Sequence, residues 1–206
     1  MTFALWLTLL GACSLISLTP GAGAISVMTN TLTLGLRRSI WGIAGQQIAL
    51  VAHIAIVAAG LGVLVASSPV AFTVITYAGA AYLIYLGIRQ LLSRAPGHTG
   101  SESVTRDEPW WSILNRGFWV NFTNPKAIIF FLAFLPQFIR TDRPILPQYL
   151  IVTATVLVVD VLVMIVVFGA GARGFRNLVR SPSGQRRMSI TFGCLFMALG
   201  ISLALL

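Results

Sequence analysis

The sequence predicts an all-α integral membrane protein with six transmembrane helices, arranged as two inverted three-helix repeats. Of the 206 residues, 57% are hydrophobic and only 9% are charged, whereas soluble domains carry about a quarter charged residues. Apolar runs long enough to cross a bilayer, about 20 residues each, cover most of the chain. The first run of each half contains an internal proline, Pro20 or Pro125. Corresponding helix breaks of this kind are typical of membrane proteins built from inverted repeats.

Six candidate spans follow one another along the chain. The first lies within residues 1–36, which carry no charged side chain. As one helix this run would be about 54 Å long, too long for a bilayer core of about 30 Å, so we expect a break at Thr19-Pro20-Gly21. The other spans are predicted at about 41–66, 70–88, 118–139, 148–172 and 188–206. They form one transmembrane domain, with half 1 at about 1–88, a cytoplasmic loop at about 89–116 and half 2 at about 117–206.

Arginines predict the orientation of these spans. Eleven lie in the first, third and fifth loops, against Arg140 and Arg143 on the opposite side. Cytoplasmic loops carry an excess of basic residues, so the odd loops are predicted to be cytoplasmic and both termini to lie outside. Loop arginines also contact anionic membrane lipids. The formal charge of +9 therefore implies no nucleic-acid partner.

The segment Asn124-Pro125-Lys126 interrupts the fourth span. Proline lacks an N–H and clashes with the carbonyl four residues earlier, which leaves backbone groups in need of protein or water partners. An ammonium at mid-span adds about 2.5–3.5 kcal/mol. We therefore expect a functional site, with Lys126 as a carboxylate partner or a structural counter-ion. Asn121, Thr123 and Asn124 would supply hydrogen bonds. The alternative is a lysine that snorkels to the interface.

The break at Thr19-Pro20-Gly21 is the counterpart in the first span. One interpretation is a kink that lets neighbouring spans pack closely. The other is a half-helix N-terminus after the break, whose free N–H groups and positive dipole end hold a carboxylate. The matching break in the fourth span favours the second interpretation.

Two titratable residues lie inside other spans. Asp160 is the only acidic one, and it would either pair with Lys126 or act as a proton carrier and contact for an ammonium group. These roles are compatible if a proton or ligand breaks the pair. His53 would make an interhelical hydrogen bond or serve as a proton relay. Its neighbours Gln46 and Gln47 would be polar lining or packing.

Other classes of protein lack the residues that they need. The sequence contains no G-x-S-x-G or H-E-x-x-H motif, so we expect no enzyme. A metal site would need several ligands within the spans, where only Asp160 and His53 qualify. Cys13 and Cys194 lack the CxxC spacing of a thiol electron carrier. No cofactor and no metal are therefore predicted.

Three blocks of sequence form a recognisable pattern. They are Leu18-Thr19-Pro20-Gly21 with residues 35–38 and Gly42, residues 79–87, and Asn124-Pro125-Lys126-Ala127 with residues 130–131 and 135–138. With them the chain resembles the LysE/RhtB family of amino-acid exporters, of the homoserine/threonine efflux type, over essentially its whole length. It departs at Ala22, where members commonly have a second proline. The resemblance implies a bacterial inner-membrane exporter of small amino acids or related metabolites, driven by the proton motive force.

Lys126 and Asp160 provide one positive and one negative centre, which suits a small neutral amino acid. Threonine, homoserine and leucine are examples, and proton antiport by alternating access would drive their export. A cationic amino acid would need a second carboxylate. Export of another small metabolite or a cation, and a non-coupled channel, stay open as alternatives. A homo-oligomer also stays open, because small residues such as Gly60 and Gly169 could serve a subunit interface or internal packing.

Overall fold

The computed structural model describes residues 1–67, 69–92, 107–140, 142–174 and 181–204. Within these ranges the regular structure is helical, without strands, which confirms the all-α class. The helices are α1 (Phe3–Leu18), α2 (Ala22–Leu34), α3 (Leu36–Ser67), α4 (Pro69–Leu92), α5 (Trp110–Phe122), α6 (Pro125–Phe134), α7 (Ile145–Val163) and α8 (Pro182–Ala204). A 3-10 turn, Leu135–Phe138, continues α6, and a π-helical segment, Met164–Ala170, continues α7.

Two continuous helices are long and apolar enough to cross a bilayer. They are Leu36–Gly60 within α3, and Ile145–Ala170, which joins α7 to the π-helical segment. Two bent pairs reach the same length if each crosses as one unit: α1 with α2, and α5 with Pro125–Phe138. The described residues thus contain two to four candidate spans. The predicted third and sixth spans form α4 and α8, helices of 24 and 23 residues, and the total of six stays a prediction.

Both predicted breaks are present, and they share one backbone geometry. Thr19 has φ −71° and ψ 117°, and Asn124 has φ −71° and ψ 111°. Each residue precedes a proline, which disfavours the helical conformation and favours this extended one. The helices on either side of each break meet at 56°. The two starts differ, however: Asn124 Oδ1 caps α6 by accepting from the Lys126 N–H at 3.1 Å, while Gly21 leaves α2 without a side-chain cap.

Helices extend further than the predicted spans at several ends. Arg37 and Arg38, predicted in a loop, lie in the first turn of α3. The connection from α2 needs only Gly35, whose φ of 83° lies in the region that favours glycine. The predicted 89–116 loop is helical at both ends, because α4 runs to Leu92 and α5 begins at Trp110. Residues 93–106 of that loop lie outside the described ranges.

Glycines bring two pairs of helices into backbone contact. A methyl group added at Gly45 of α3 would overlap the backbone of Leu114 in α5. One added at Gly87 of α4 would lie 2.7 Å from the carbonyl oxygen of Gly193 in α8. Small residues allow this close approach between helices in a membrane, where packing is a main driving force for association.

Contacts at two levels fix the relative directions of three helix pairs. The contacts are Gly45–Leu114 and His53–Phe122 for α3 and α5, Trp6–Thr155 and Ser17–Asp160 for α1 and α7, and Ala80–Gly200 and Leu91–Gly193 for α4 and α8. It follows that α3 runs parallel to α5 and α1 parallel to α7, whereas α4 and α8 are antiparallel. The breaks of the two bent pairs lie against each other at the centre of this arrangement.

Candidate functional site

A cavity of about 50 Å³ lies between the two helix breaks. A buried water molecule needs roughly 10–15 Å³ of such space, so the cavity has room for a few water molecules. Six predicted site residues line it: Thr19, Gly21, Asn121, Asn124, Lys126 and Asp160. The remaining wall is mostly apolar and includes Cys13, Leu50, Phe130, Phe131, Val156 and Met164. The two breaks and Asp160, far apart in sequence, therefore form one site.

Lys126 reaches across this cavity to the end of α1. Its Nζ donates hydrogen bonds to the carbonyl oxygens of Ile16, at 3.0 Å, and Thr19, at 2.8 Å. The last carbonyls of a helix have no partner within it and carry the negative end of its dipole. Gly21 leaves room for the ammonium, since a Cβ there would lie 3.3 Å from Nζ. Lys126 thus neutralises the C-terminus of α1, the arrangement of a structural counter-ion.

Asp160 is buried in the opposite wall, with 7% of its surface exposed. Its Oδ1 accepts a hydrogen bond from Ser17 Oγ at 2.9 Å, and its Oδ2 accepts one from Gln47 Nε2 at 2.7 Å. Lys126 and Asp160 are both described, and no ion pair joins them. The direct pair, one of the two predicted alternatives, is therefore not formed in this structure. Both carboxyl oxygens of Asp160 accept from neutral donors instead.

Side-chain amides tie both breaks to α3. Asn121 Nδ2 donates to the carbonyl oxygen of Gln46 at 3.2 Å, and Gln46 Nε2 donates to that of Gly23 at 3.1 Å. Thr123 was predicted to supply a hydrogen bond, but it is exposed and donates to the Trp119 carbonyl of its own helix. That prediction is wrong because Thr123 turns away from the cavity at the end of α5.

His53 stands beside the cavity without lining it. Its ring stacks between Phe122 and Phe131, with centroids 5.2 and 5.7 Å away. Its Nε2 lies 3.2 Å from the Phe122 carbonyl oxygen, and a carbonyl can only accept, so this bond places the proton on Nε2. The interhelical hydrogen bond is present, and the proton relay stays a prediction. Pro20 and Pro125 likewise shape the breaks without lining the cavity.

Two contacts at the candidate site do not follow from the sequence: those of Ser17 and Gln47 with Asp160. Ser17 follows Cys13 by four residues, so the two share a face of α1, but the sequence does not reveal which face meets α7. Gln47 was considered only as polar lining or packing.

Among the described residues, no three His, Cys, Asp or Glu side chains lie together in a way that could hold a metal ion.

A second polar cluster joins the halves at the other end of α5. Arg116 Nη1 contacts both carboxylate oxygens of Glu108, at 2.7 and 2.8 Å, and its Nη2 donates to Asn30 Oδ1 at 3.0 Å. Ser112 also donates to Glu108, and Arg38 donates to the Glu108 carbonyl. Partial burial acts to raise the pKa of Glu108, but the hydrogen bonds from Ser112 and Arg116 outweigh it and lower that pKa. Arg116, the member of this cluster nearest to the cavity in sequence, lies about 7.5 Å along α5 from Asn121.

Comparison with known proteins shows relatives that are similar over nearly the whole chain. The sequence pattern of the family described as "LysE type translocator" matches residues 14–206. Proteins of Salmonella typhimurium and Salmonella typhi, each named "Homoserine/homoserine lactone efflux protein", are 40% identical over 204 residues, which is 99% of this chain and 98% of each relative. An "Uncharacterized membrane protein" of Vibrio cholerae is 39% identical over 206 residues, with the same coverage. No solved structure matches the chain.

Proposed function

The chain belongs to the LysE family of translocators, and we propose that this multi-pass membrane protein is a secondary exporter of a small amino-acid-type solute rather than an enzyme. The observation that carries the proposal is the cavity between the two breaks, which presents the uncapped start of α2 on one side and Asp160 on the other. An intramembrane carboxylate that faces a polar cavity is a functional site by default. Export is the activity for which the Salmonella relatives are named.

Homoserine and homoserine lactone are the substrates that these names suggest for this chain. Ring closure consumes the free carboxylate of homoserine, so the two molecules share the α-ammonium group and differ in charge at the other end. A site that accepts both must recognise the ammonium first, and Asp160 is the acidic group in the cavity wall. The N–H groups at the start of α2 would donate to either a carboxylate or a lactone carbonyl oxygen. With the ammonium at Asp160 and the other end of the substrate at α2, Lys126 would keep its hydrogen bonds to the α1 carbonyls.

Three features support six spans in two inverted repeats. The breaks share their dihedral angles and their 56° bend. Exchange of the two halves would convert the parallel pair of α1 and α7 into the parallel pair of α5 and α3. The antiparallel pair of α4 and α8 would map onto itself. With the arginine bias, this arrangement supports a topology with both termini outside the cytoplasm, in a bacterial inner membrane.

Proton antiport would follow from competition for Asp160. During alternating access, the carboxylate would hold either the substrate ammonium or a proton, and the exchange of one for the other would couple the two fluxes. The cluster around Arg116 and Glu108 closes the predicted cytoplasmic end, so its bonds to Asn30 and Arg38 of the first half would break when that side opens.

Efflux from proteoliposomes tests this proposal. Vesicles would be loaded with labelled L-homoserine, or with threonine or leucine, and efflux followed with and without a proton gradient. We expect gradient-dependent loss of homoserine, abolished in Asp160→Asn and retained in Asp142→Asn, whose carboxylate lies in the exposed pair with Arg140. Efflux that ignores the gradient would indicate a channel. Retention of all three amino acids by correctly inserted protein would refute amino-acid export.

A further inference from the structure

We propose that Asp160, Gln47 and Ser17 form a subsite for a primary ammonium group, in which the free amide oxygen of Gln47 is the second acceptor beside the carboxylate. The inference rests on the proposed function and deepens it, because it assigns substrate recognition to two residues outside the predicted site. It also specifies the chemistry of the ligand: a cation with several N–H donors.

The hydrogen bonds of Asp160 fix which atoms are free to bind. Ser17 Oγ donates to one carboxylate oxygen and Gln47 Nε2 to the other, at 2.9 and 2.7 Å. A carboxylate has about four lone-pair positions, so each oxygen keeps one. The Gln47 amide is oriented by the same contact, because only its nitrogen can donate to a carboxylate. Its Oε1 must therefore be the free end.

Gln47 Oε1 is buried and has no hydrogen-bond partner among the described residues. A buried acceptor left without a donor destabilises the protein in proportion to its lost hydration. Gln47 lies three residues before Leu50 on α3, and therefore on the same face of the helix. Leu50, Ser17 and Asp160 all line the cavity. Gln47 is not itself a lining residue, so its unpartnered oxygen lies directly behind the wall in which Asp160 is set, on an amide that is hydrogen-bonded to the Asp160 carboxylate.

The resulting set of acceptors selects among ligands. Two carboxylate lone pairs and one amide oxygen match the three N–H donors of a primary ammonium, and hydrogen bonds to charged groups are the strong ones. A quaternary ammonium has the same charge but no donor. A neutral hydroxyl has one donor and no charge. A carboxylate has no donor to offer, so it would be repelled by a set of groups that are themselves acceptors. The subsite should therefore bind substrates through a free amino group and reject their hydroxy analogues.

Thermal stability with simple cations tests the subsite without any assumption about transport. Methylammonium chloride should raise the unfolding temperature of the purified protein, because a ligand that binds only the folded state stabilises it. Tetramethylammonium chloride should not. The stabilisation should be lost in Gln47→Met, which keeps the side-chain length but removes the oxygen, and in Gln47→Lys, whose own ammonium would occupy the site. Equal shifts with both cations, or a full methylammonium shift in both variants, would overturn the proposal.

Competition against labelled L-homoserine in the efflux assay supplies the second readout. Homoserine lactone should compete, whereas the acid with a hydroxyl in place of the ammonium should not. Gln47→Met should raise KM about tenfold or more, as loss of one charge-assisted hydrogen bond to the ammonium predicts. Ser17→Ala should raise KM less, because Ser17 orients the Asp160 carboxylate without contacting the ligand. Ser14→Ala is the matched control, because Ser14 donates to Leu10 of its own helix. Unchanged KM in both variants would refute the subsite and leave export intact; cation binding without homoserine efflux would refute export and leave the subsite intact.

Discussion

Substitution of Glu108 by glutamine should destabilise the protein far more than the same change of charge at Asp142. Both carboxylates accept from an arginine at nearly equal distance, 2.7 Å from Arg116 and 2.8 Å from Arg140. The difference is burial. The side chains of Arg116 and Glu108 are 14% and 11% exposed, while those of Arg140 and Asp142 are 44% and 58% exposed. Distance alone would make the two pairs equivalent.

The magnitude follows from what glutamine leaves behind. Glu108→Gln keeps the shape and one acceptor, so the Ser112 bond can survive, but the Arg116 guanidinium loses its charged partner. Hydrogen bonds to charged groups contribute about 1.5–3 kcal/mol each. Truncation of one member of a fully buried pair costs about 3–5 kcal/mol. For a pair that is mostly buried we expect about 2–3 kcal/mol, or about 4–12 °C in unfolding temperature for a chain of this size.

The sign of the pH dependence gives an independent check. The pKa of Glu108 is lowered in the folded state, so its contribution is fully present above the ordinary glutamate pKa of about 4.3. It is lost as the pH falls through the lowered value. Glu108→Gln should therefore lower the unfolding temperature at neutral pH, and the difference from wild type should shrink in strong acid. The assay is thermal unfolding of the purified protein in detergent, followed by tryptophan fluorescence. An equal decrease of the unfolding temperature in Glu108→Gln and Asp142→Asn would refute the reasoning.

Two further predictions concern the helix contacts and the first break. Gly45→Ala should destabilise the protein by at least about 1–3 kcal/mol through overpacking against Leu114. Gly11→Ala, with open space around it, should stabilise the protein by about 0.4–1 kcal/mol. Shifts of unfolding temperature in the same direction for both variants would contradict this. Lys126→Met should change stability little, because two orphaned carbonyls at about 1–3 kcal/mol each offset the relieved cost of about 2.5–3.5 kcal/mol for a mid-span ammonium. Homoserine efflux should nevertheless fall, and full efflux by Lys126→Met would contradict a role for the capped break.

Local rules account for the features that could be predicted from the sequence. Proline restricts the residue before it wherever it occurs, so the breaks at Thr19 and Asn124 follow from the sequence alone. The partners of Asp160 do not, because Ser17 and Gln47 are 143 and 113 residues away. Lipid is as apolar as a protein interior, so the hydrophobic period that identifies the buried face of a soluble helix is absent from α1 and α7. Sequence therefore locates the polar residues without showing which ones meet.

The two breaks depend on each other through crossed contacts. Lys126, from the second half, supplies the donors for the α1 carbonyls, and His53, from the first half, supplies the donor for the Phe122 carbonyl at the end of α5. Separation of the halves at this level would break these three hydrogen bonds and also those of Asn121, Ser17 and Gln47. Hydrocarbon cannot solvate the groups left behind, at a cost of several kcal/mol for each orphaned group. Rotation of one half against the other about this level would preserve them, while the bonds from Arg116 to Asn30 and from Arg38 to Glu108, which join the halves farther from the axis, would open. If export proceeds by the proposed alternating access, we therefore expect rocking about the cavity, rather than dilation of the cavity, to expose Asp160 to either side.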